Sequence, residues 1–376
     1  MAIDIGGTFI KVAEIDAGVV KRAWRTAMPP FIDSAGSFND QGYAREFDPL
    51  LFDEAIFSAL EKISPHSTNG QVFVSGQMAG LAFTDGEGFA QAPIISWQDT
   101  RVHDSLFNMD AFGEEAFALT GETLRVGLPL LTLSGIKRPP GSRITSLIGY
   151  AAGRIAGGRA QYVHHTDAAS WGMLDLSSNN WSAQALSVLG ICSNDLPEVT
   201  SKMIPVSNDA SVYVATGDQQ TSLLGAGLKS GWLSVNMATG CQVSLLSNVF
   251  DCSVTTRPYF GDSFGGRFLR TITHLPAGRF LGARIEDFYG SRDWRWFENG
   301  GWRDLLEPMR IIVDSVCNAA RKIGGEGLPI QYSGGLIENV PWLQDSISNE
   351  LRSSKFRVAK GPDASLSGLA QLANRL

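Results

Sequence analysis

At 376 residues the chain exceeds what one hydrophobic core usually serves, which predicts two domains. With 44 % apolar and 18 % charged residues it reads as a globular chain with a large interior, and a net charge of −7 argues against nucleic acid or an anionic membrane as its main partner. No apolar run reaches the roughly 20 residues of a membrane span. The four cysteines (Cys192, Cys241, Cys252, Cys317) lack CxxC spacing and the N-terminus runs directly into a strand, so reduced thiols and a cytoplasmic setting are expected.

Residues 1–26 read as two or three antiparallel strands with a turn at Ala17-Gly18, and Ile3-Asp4-Ile5-Gly6-Gly7-Thr8 carries the first strand into the first turn. Gly6 and Gly7 let backbone N–H groups approach an anion and Thr8 adds a hydroxyl donor. Asp4 stands where a phosphate-bound Mg²⁺ could be held, directly or through water. An ordinary Gly-Gly hairpin accounts for the same residues. No Gly-Lys-Ser/Thr follows, which excludes a Walker loop. Residues 48–63 have apolar side chains at helical spacing, and residues 71–75 read as a strand. Gln77 and Met78, in Ser75-Gly76-Gln77-Met78, then fall at a strand's carboxyl end, where open α/β sheets bind ligands. Residues 80–84 and 89–95 read as a strand pair. After it, Trp97-Gln98-Asp99-Thr100-Arg101 supplies an aromatic face and bidentate polar groups that suit a polyol. A helix cap with a surface ion pair explains Asp99 and Arg101 equally well. Helices are expected over 113–119, 144–155 and 182–189, with a proline-rich stretch at 137–140.

A polar stretch at 205–209 marks the expected boundary, near residue 208, and gives domains 1–208 and 209–376. The pattern then begins again, with a strand at 212–215, a helix at 219–226, and strands at 232–237 and 242–246. Val235-Asn236-Met237-Ala238-Thr239-Gly240 repeats the form of Ile3 to Thr8, as a duplication with two lobes facing one ligand would. Asp218, in Thr216-Gly217-Asp218-Gln219, lies between a strand and a helix. It reads either as a helix cap or as a general base that takes a substrate hydroxyl proton, with Gln219 beside it as a donor. A helix at 302–323, a strand at 329–332, and helices at 340–351 and 363–373 complete the pattern. Between two of these, Ser333-Gly334-Gly335-Leu336 is a turn that admits an adenine or ribose, or one that holds no ligand. His164-His165 lacks further clustered ligands, which argues against zinc. Interleaved strands and helices in both halves make the class α/β.

These segments, with Thr166-Asp167-Ala168-Ala169-Ser170 and Leu196-Pro197-Glu198-Val199, resemble in their order the motifs of the FGGY carbohydrate kinases, within the sugar kinase/actin/heat-shock ATPase superfamily. The resemblance runs along nearly the whole chain. It implies two ribonuclease H-like (actin-like ATPase) lobes, mixed sheets flanked by helices, and an active site in the inter-lobe cleft. It also implies ATP-dependent phosphorylation of a small sugar, a ketose such as xylulose, ribulose or sedoheptulose, with ATP and Mg²⁺ as cofactors. Asp218 is the implied catalytic base, and Asp4 and Asp218 the implied holders of Mg²⁺. Gly6, Gly7, Thr8, Thr239 and Gly240 would contact the ATP phosphates, and Gly334 and Gly335 the adenosine. Gln77, Met78, Trp97, Asp99, Arg101 and Gln219 fall where the family binds its sugar. The chain also departs from the family. Ala79 stands where pentulose kinases carry His, and Pro129-Leu130-Leu131-Thr132-Leu133 replaces Lys-x-x-Trp-Leu. No Gly-Leu-Thr is recognisable near Glu298-Asn299-Gly300-Gly301, and the chain is short after Arg125 and after Tyr289. Two alternatives stay open: a catalytically weak sugar- or nucleotide-binding regulator on the same fold, and a kinase of a non-ketose polyol such as glycerol. The expected partners are sugar and ATP, without nucleic acid or membrane, and a homodimer is left open.

Overall fold

The computed structural model describes residues 1–32, 44–63, 70–102, 120–122, 124–207, 211–289, 303, 305–359 and 363–376, with backbone only for 285–289. The first half of the chain forms strands β1 (Ala2–Ile5), β2 (Phe9–Asp16), β3 (Val19–Ala27) and β4 (Glu46–Phe47), helix α1 (Pro49–Ile63), strands β5 (Phe73–Gly76), β6 (Leu81–Thr84) and β7 (Ile94–Ile95), and helix α2 (Pro129–Gly135). Next come β8 (Arg143–Ser146), α3 (Leu147–Ile155), β9 (Tyr162–His164), α4 (His165–Ala168), β10 (Leu174–Asp175), β11 (Asn180–Trp181), α5 (Ala183–Leu189), β12 (Glu198–Thr200), β13 (Thr216–Gly217) and α6 (Asp218–Gly225). The remainder forms β14 (Leu233–Met237), β15 (Cys241–Ser247), β16 (Thr256–Gly261), β17 (Gly266–Leu275), α7 (Gly278–Tyr289), α8 (Leu306–Lys322), β18 (Ile330–Ser333), α9 (Gly335–Asn339), α10 (Pro341–Glu350), β19 (Phe356–Val358) and α11 (Ala364–Ala373).

The chain divides into two compact units. One holds Met1–Gly225, Arg257–Phe260 and Pro362–Leu376; the other holds Ala226–Thr256 and Gly261–Gly361. The division falls at the end of α6, beyond the polar stretch at 205–209. In that stretch Val206 is buried and donates its backbone N–H to the Val212 carbonyl (2.8 Å), which makes it part of the first unit's packing. Residues 208–210 lie outside the described residues, as does the helix expected at 113–119.

The first unit is built on a five-stranded sheet of order β13-β5-β1-β2-β3. The β1–β2–β3 run is antiparallel, while β5 and β13 join parallel to β1. The second unit's sheet contains the run β17-β15-β14-β18-β19, antiparallel through β14–β15–β17 and parallel through β14–β18–β19. Taken in chain order, the first sheet and this five-strand run of the second, a six-stranded sheet that also holds β16, both have the arrangement third, second, first, fourth, fifth. This shared topology is the duplication suggested by the two Gly/Thr turns, and it defines the actin-like ATPase fold.

Helix α1 follows the expected periodicity: Phe52, Ile56, Ala59 and Ile63 are buried against the core of Ile3, Ile5, Ile10 and Val12. A second cluster in the first unit centres on Trp171, Phe83 and Leu128. In the second unit, α8 buries Met309, Ile312 and Val316 on Leu233, Val235 and Met237. Among the described residues, no helix is long and apolar enough to cross a membrane.

The chain's end returns to its beginning through α11, which packs on α6. Their backbones approach so closely that a Cβ on Gly225 would overlap the Ala364 carbonyl, and one on Gly368 would overlap the Thr221 carbonyl. Only glycine fits at this crossing. Gly368→Ala is therefore expected to cost about 1–3 kcal/mol and lower Tm by several degrees. Gly86→Ala, where nothing lies within 4 Å, should melt near the parent. Differential scanning calorimetry of both variants checks this; equal Tm values would show that the crossing opens without cost.

Candidate functional site

Strand register builds the floor of the site in the first unit. Asp4 on β1 lies opposite Lys11 on β2 and Ser75 on β5. Its carboxylate is 3 % exposed. Oδ1 accepts from Ser75 Oγ (2.8 Å), and Oδ2 accepts from Ser365 Oγ (2.6 Å) and Lys11 Nζ (3.3 Å). Lys11 also meets Asp363 Oδ2 at 2.5 Å, and Asp363 caps α11 by accepting from the N–H groups of Ser365 and Leu366. Burial works against the Lys11 ammonium, but Asp4 and Asp363 outweigh it and its pKa is raised.

Because β1, β5 and β13 run parallel, their carboxyl ends share one edge. Ile5 pairs with Gly76, and Gly76 with Gly217, so Gly6–Thr8, Gln77-Met78 and Asp218 leave the sheet side by side. Gly7 and Thr8 are exposed. The nearest atoms to a Cβ on Gly7 would be those of Gln98 (3.9 Å) and Trp97 (4.0 Å), so no protein packing demands a glycine there. Gln77 is buried. Its Nε2 donates to the Gly6 carbonyl (3.4 Å), while its Oε1 has no partner among the described residues. Met78 Sδ lies against Gly217, whose N–H donates to Thr166 Oγ1 (3.1 Å). Asp218 opens α6 directly at the strand end, because the strand expected over 212–215 instead forms as β13 at Thr216–Gly217, with only isolated bridges at Val212 and Tyr213. Burial, reinforced by the Asp4 charge, pushes Asp218 up to about 7, against the opposing pull of the Gln219 N–H, Arg257 and Lys11.

Beside this edge lie two ion pairs. Asp99, 3 % exposed, accepts from the N–H groups of Arg45 (2.9 Å) and Arg101 (3.1 Å) and from the Arg101 guanidinium, which also reaches Glu46 (2.6 Å). Trp97 stays 37 % exposed. The buried Arg257 holds Glu122 bidentately (2.7 and 3.0 Å) and donates to Gln219 Oε1. Among the described residues no three His, Cys, Asp or Glu side chains converge on a point that could hold a metal.

The second unit repeats the edge. Thr239 and Gly240 form the exposed β14–β15 turn, with Ala238 N–H donating to the Gly240 carbonyl (2.9 Å). The first N–H groups of α7 donate to Ala238 (3.0 Å) and Thr239 (2.8 Å). On the neighbouring strand end, Gly334 has φ +101° and a Cβ there would meet the Met237 carbonyl at 2.5 Å, so glycine is required. Gly335 beside it has open space.

The sequence-identified residues thus fall into two groups: Asp4, Gly6, Gly7, Thr8, Gln77, Met78, Trp97, Asp99, Arg101, Asp218 and Gln219 in the first unit, and Thr239, Gly240, Gly334 and Gly335 in the second. Sequence reasoning missed Lys11, which the hairpin register alone would have placed opposite Asp4. It also missed Asp363 and Ser365, and the Glu122–Arg257 pair, 135 residues apart, for which no local signal exists.

Residues 1–227 match the N-terminal domain of the FGGY family of carbohydrate kinases, and the chain belongs to that family. It is 26 % identical over 259 residues to a xylulose kinase of Staphylococcus xylosus, across 61 % of this chain and 50 % of that one, so the match spans about half of the curated relative's length. A gluconate kinase structure from Lactobacillus acidophilus superposes with a TM-score of 0.80 at 15 % identity, covering 99 % of this chain and 88 % of that one. A Plasmodium falciparum glycerol kinase with ADP superposes with a TM-score of 0.80 at 15 % identity, over 98 % and 88 %.

One buried carboxylate had no role in the sequence reading. Asp167 is fully buried, with Oδ2 accepting from Ser146 Oγ (2.5 Å). Burial, opposed by that bond and reinforced by the Asp218 charge, pushes it up to about 7. A carboxyl that binds its proton more tightly when folded contributes stability that is present below about pH 4 and lost as pH rises through about 7. Asp167→Asn is therefore expected to gain Tm relative to the parent as pH rises from about 4 to about 8. Melting curves across that range check it; parallel curves would show that Asp167 does not titrate there.

Proposed function

We propose that this protein transfers the γ-phosphoryl group of ATP to a hydroxyl of a small polyhydroxy acceptor. The observation that carries this reading is Asp218, a carboxylate with a pKa near 7 at a strand end aligned with the Gly6–Thr8 turn. A base poised near neutral pH suits proton removal from an alcohol. The relatives named for xylulose, gluconate and glycerol support the reaction class. The fold alone does not choose among acceptors, and the ketose implied by the resemblance is one member of the class.

The roles follow from placement. Gly6, Gly7 and Thr8 offer backbone and hydroxyl donors to the phosphates from the first unit, and Thr239 and Gly240 do so from the second. Gly334 and Gly335 border the adenosine. Gln77, with its unpaired Oε1, Met78, Trp97 and Gln219 contact the acceptor, and Asp99 orients Arg101 toward it. The acceptor oxygen bonds to the γ-phosphorus as the bond to the departing ADP oxygen breaks, and its proton passes to the Asp218 carboxylate. Both oxygens of Asp4 are already engaged by Ser75, Ser365 and Lys11, which fits a Mg²⁺ held through water rather than directly. Asp4 and Asp218 would hold the ion, and it would neutralise phosphate charge. The setting that fits this chemistry is cytoplasmic.

Asp218→Asn keeps the shape and helix-capping ability of the side chain while removing the proton acceptor. We expect a folded protein that binds acceptor and ATP, with kcat lower by about 10²–10⁴-fold. Steady-state kinetics with calorimetric binding check this. Full activity would remove the base from the mechanism; a parent protein that binds sugar and ATP without turnover would make it a regulator.

A further inference from the structure

Residues 120–122 and 124–128 lie against both halves of the acceptor side of the first unit. At one end Glu122 is 3 % exposed and fully engaged by Arg257, whose third contact is Gln219 beside Asp218. At the other end Gly127, with φ +88°, packs so closely on the Trp97 segment that a Cβ would meet the Trp97 carbonyl at 2.5 Å. Between them stands Arg125. Its backbone carbonyl accepts from Leu128 N–H (3.2 Å), but its half-buried guanidinium has no hydrogen-bond or ion-pair partner among the described residues.

Charge balance makes this residue conspicuous. Glu122 and Arg257 cancel each other, which leaves Arg125 as a surplus cation among the described residues. Burial, only partly countered by Glu122 and reinforced by the like charge of Arg257, lowers its pKa. A guanidinium keeps its proton, so it cannot escape the cost of burial by neutralising. The remaining remedy is an anion. A planar, singly charged carboxylate matches one guanidinium bidentately. A phosphate dianion would call for more cations than one.

We propose that Arg125 binds a carboxylate on the acceptor, so that the substrate is a sugar acid of the aldonate class. This rests on the kinase reading above. The test measures ADP release by the purified protein with five- and six-carbon aldonates, the corresponding ketoses and alditols, and sugar phosphates. Calorimetry of aldonate binding is run alongside. Aldonates should exceed the neutral acceptors at least about tenfold in kcat/KM, and Arg125→Gln should raise the aldonate KM about 10- to 100-fold with the ATP KM unchanged. Arg125→Gln should not lower Tm, because it removes an unpaired buried charge. Preference for a ketose, alditol or sugar phosphate would overturn the proposal and leave the kinase reading standing. A rise in the ATP KM, or a fall in Tm, with unchanged aldonate affinity would assign Arg125 to phosphate or to structure and overturn it as well. If no acceptor is turned over, the kinase reading fails. Calorimetry then decides the carboxylate site alone: loss of aldonate binding in Arg125→Gln supports it, and absence of binding to the parent overturns it.

Discussion

The first unit depends on one buried carboxylate and what encloses it. Asp4 draws donors from three other places in the chain: Lys11 on the next strand, Ser75 on the parallel neighbour and Ser365 from the C-terminal helix. A carboxylate so deeply buried is tolerated only when its lone pairs are met and its charge is balanced. Lys11 supplies the balance and is itself shared with Asp363. That sharing fixes the start of α11, since Asp363 both holds Lys11 and caps the helix. The helix can reach this position because Gly225 and Gly368 let it lie directly on α6. Since α6 begins with Asp218, the glycine crossing and the Asp4 cluster together fix the residue assigned to the chemistry.

The repeated sheet order gives each unit the same functional edge. In a parallel run the carboxyl ends of adjacent strands release their loops side by side, so residues distant in sequence meet without any long connection. Gly6–Thr8 and Asp218 are separated by about two hundred residues of chain but by only the width of two strand pairings. Thr239-Gly240 and Gly334-Gly335 are related in the same way in the second unit, across the single pairing of β14 with β18.

Much of this was legible in the sequence because it is local. Helix α1 announced itself by its periodic apolar face, and the Gly/Thr turns by composition. The topology of both sheets follows from the family resemblance. What stayed hidden depends on tertiary contact. Val212 and Tyr213 carry strand-like character, yet the parallel pairing with Ser75 and Gly76 falls on Thr216 and Gly217, residues of weak propensity, because the neighbouring strand dictates register. The Glu122–Arg257 pair could not be inferred at all: Arg257–Phe260 belong to the first unit although the second flanks them in sequence. Asp99 and Arg101 show the converse case: the structure shows the ion pair that the sequence allowed, with Arg101 oriented by the carboxylate it neutralises.

The contrast between Asp4 and Asp218 bears on function. The two carboxylates are close enough for the charge of one to raise the pKa of the other. Asp4 has a cation and two hydroxyl donors on its oxygens. Asp218 lacks such a set and its nearest strong influences are burial and a like charge, so its proton is retained to about pH 7. The two carboxylates thus differ in their surroundings: Asp4 is enclosed by donors, while Asp218 binds its proton more tightly than an ordinary carboxyl. The difference follows from which strand each residue occupies: β1 is central and flanked by Lys11 and Ser75, whereas β13 is the edge strand, and at Asp218 the pull of Lys11 and Arg257 is outweighed by burial and the Asp4 charge. The asymmetry of the sheet thus becomes an asymmetry in how the two carboxylates are enclosed.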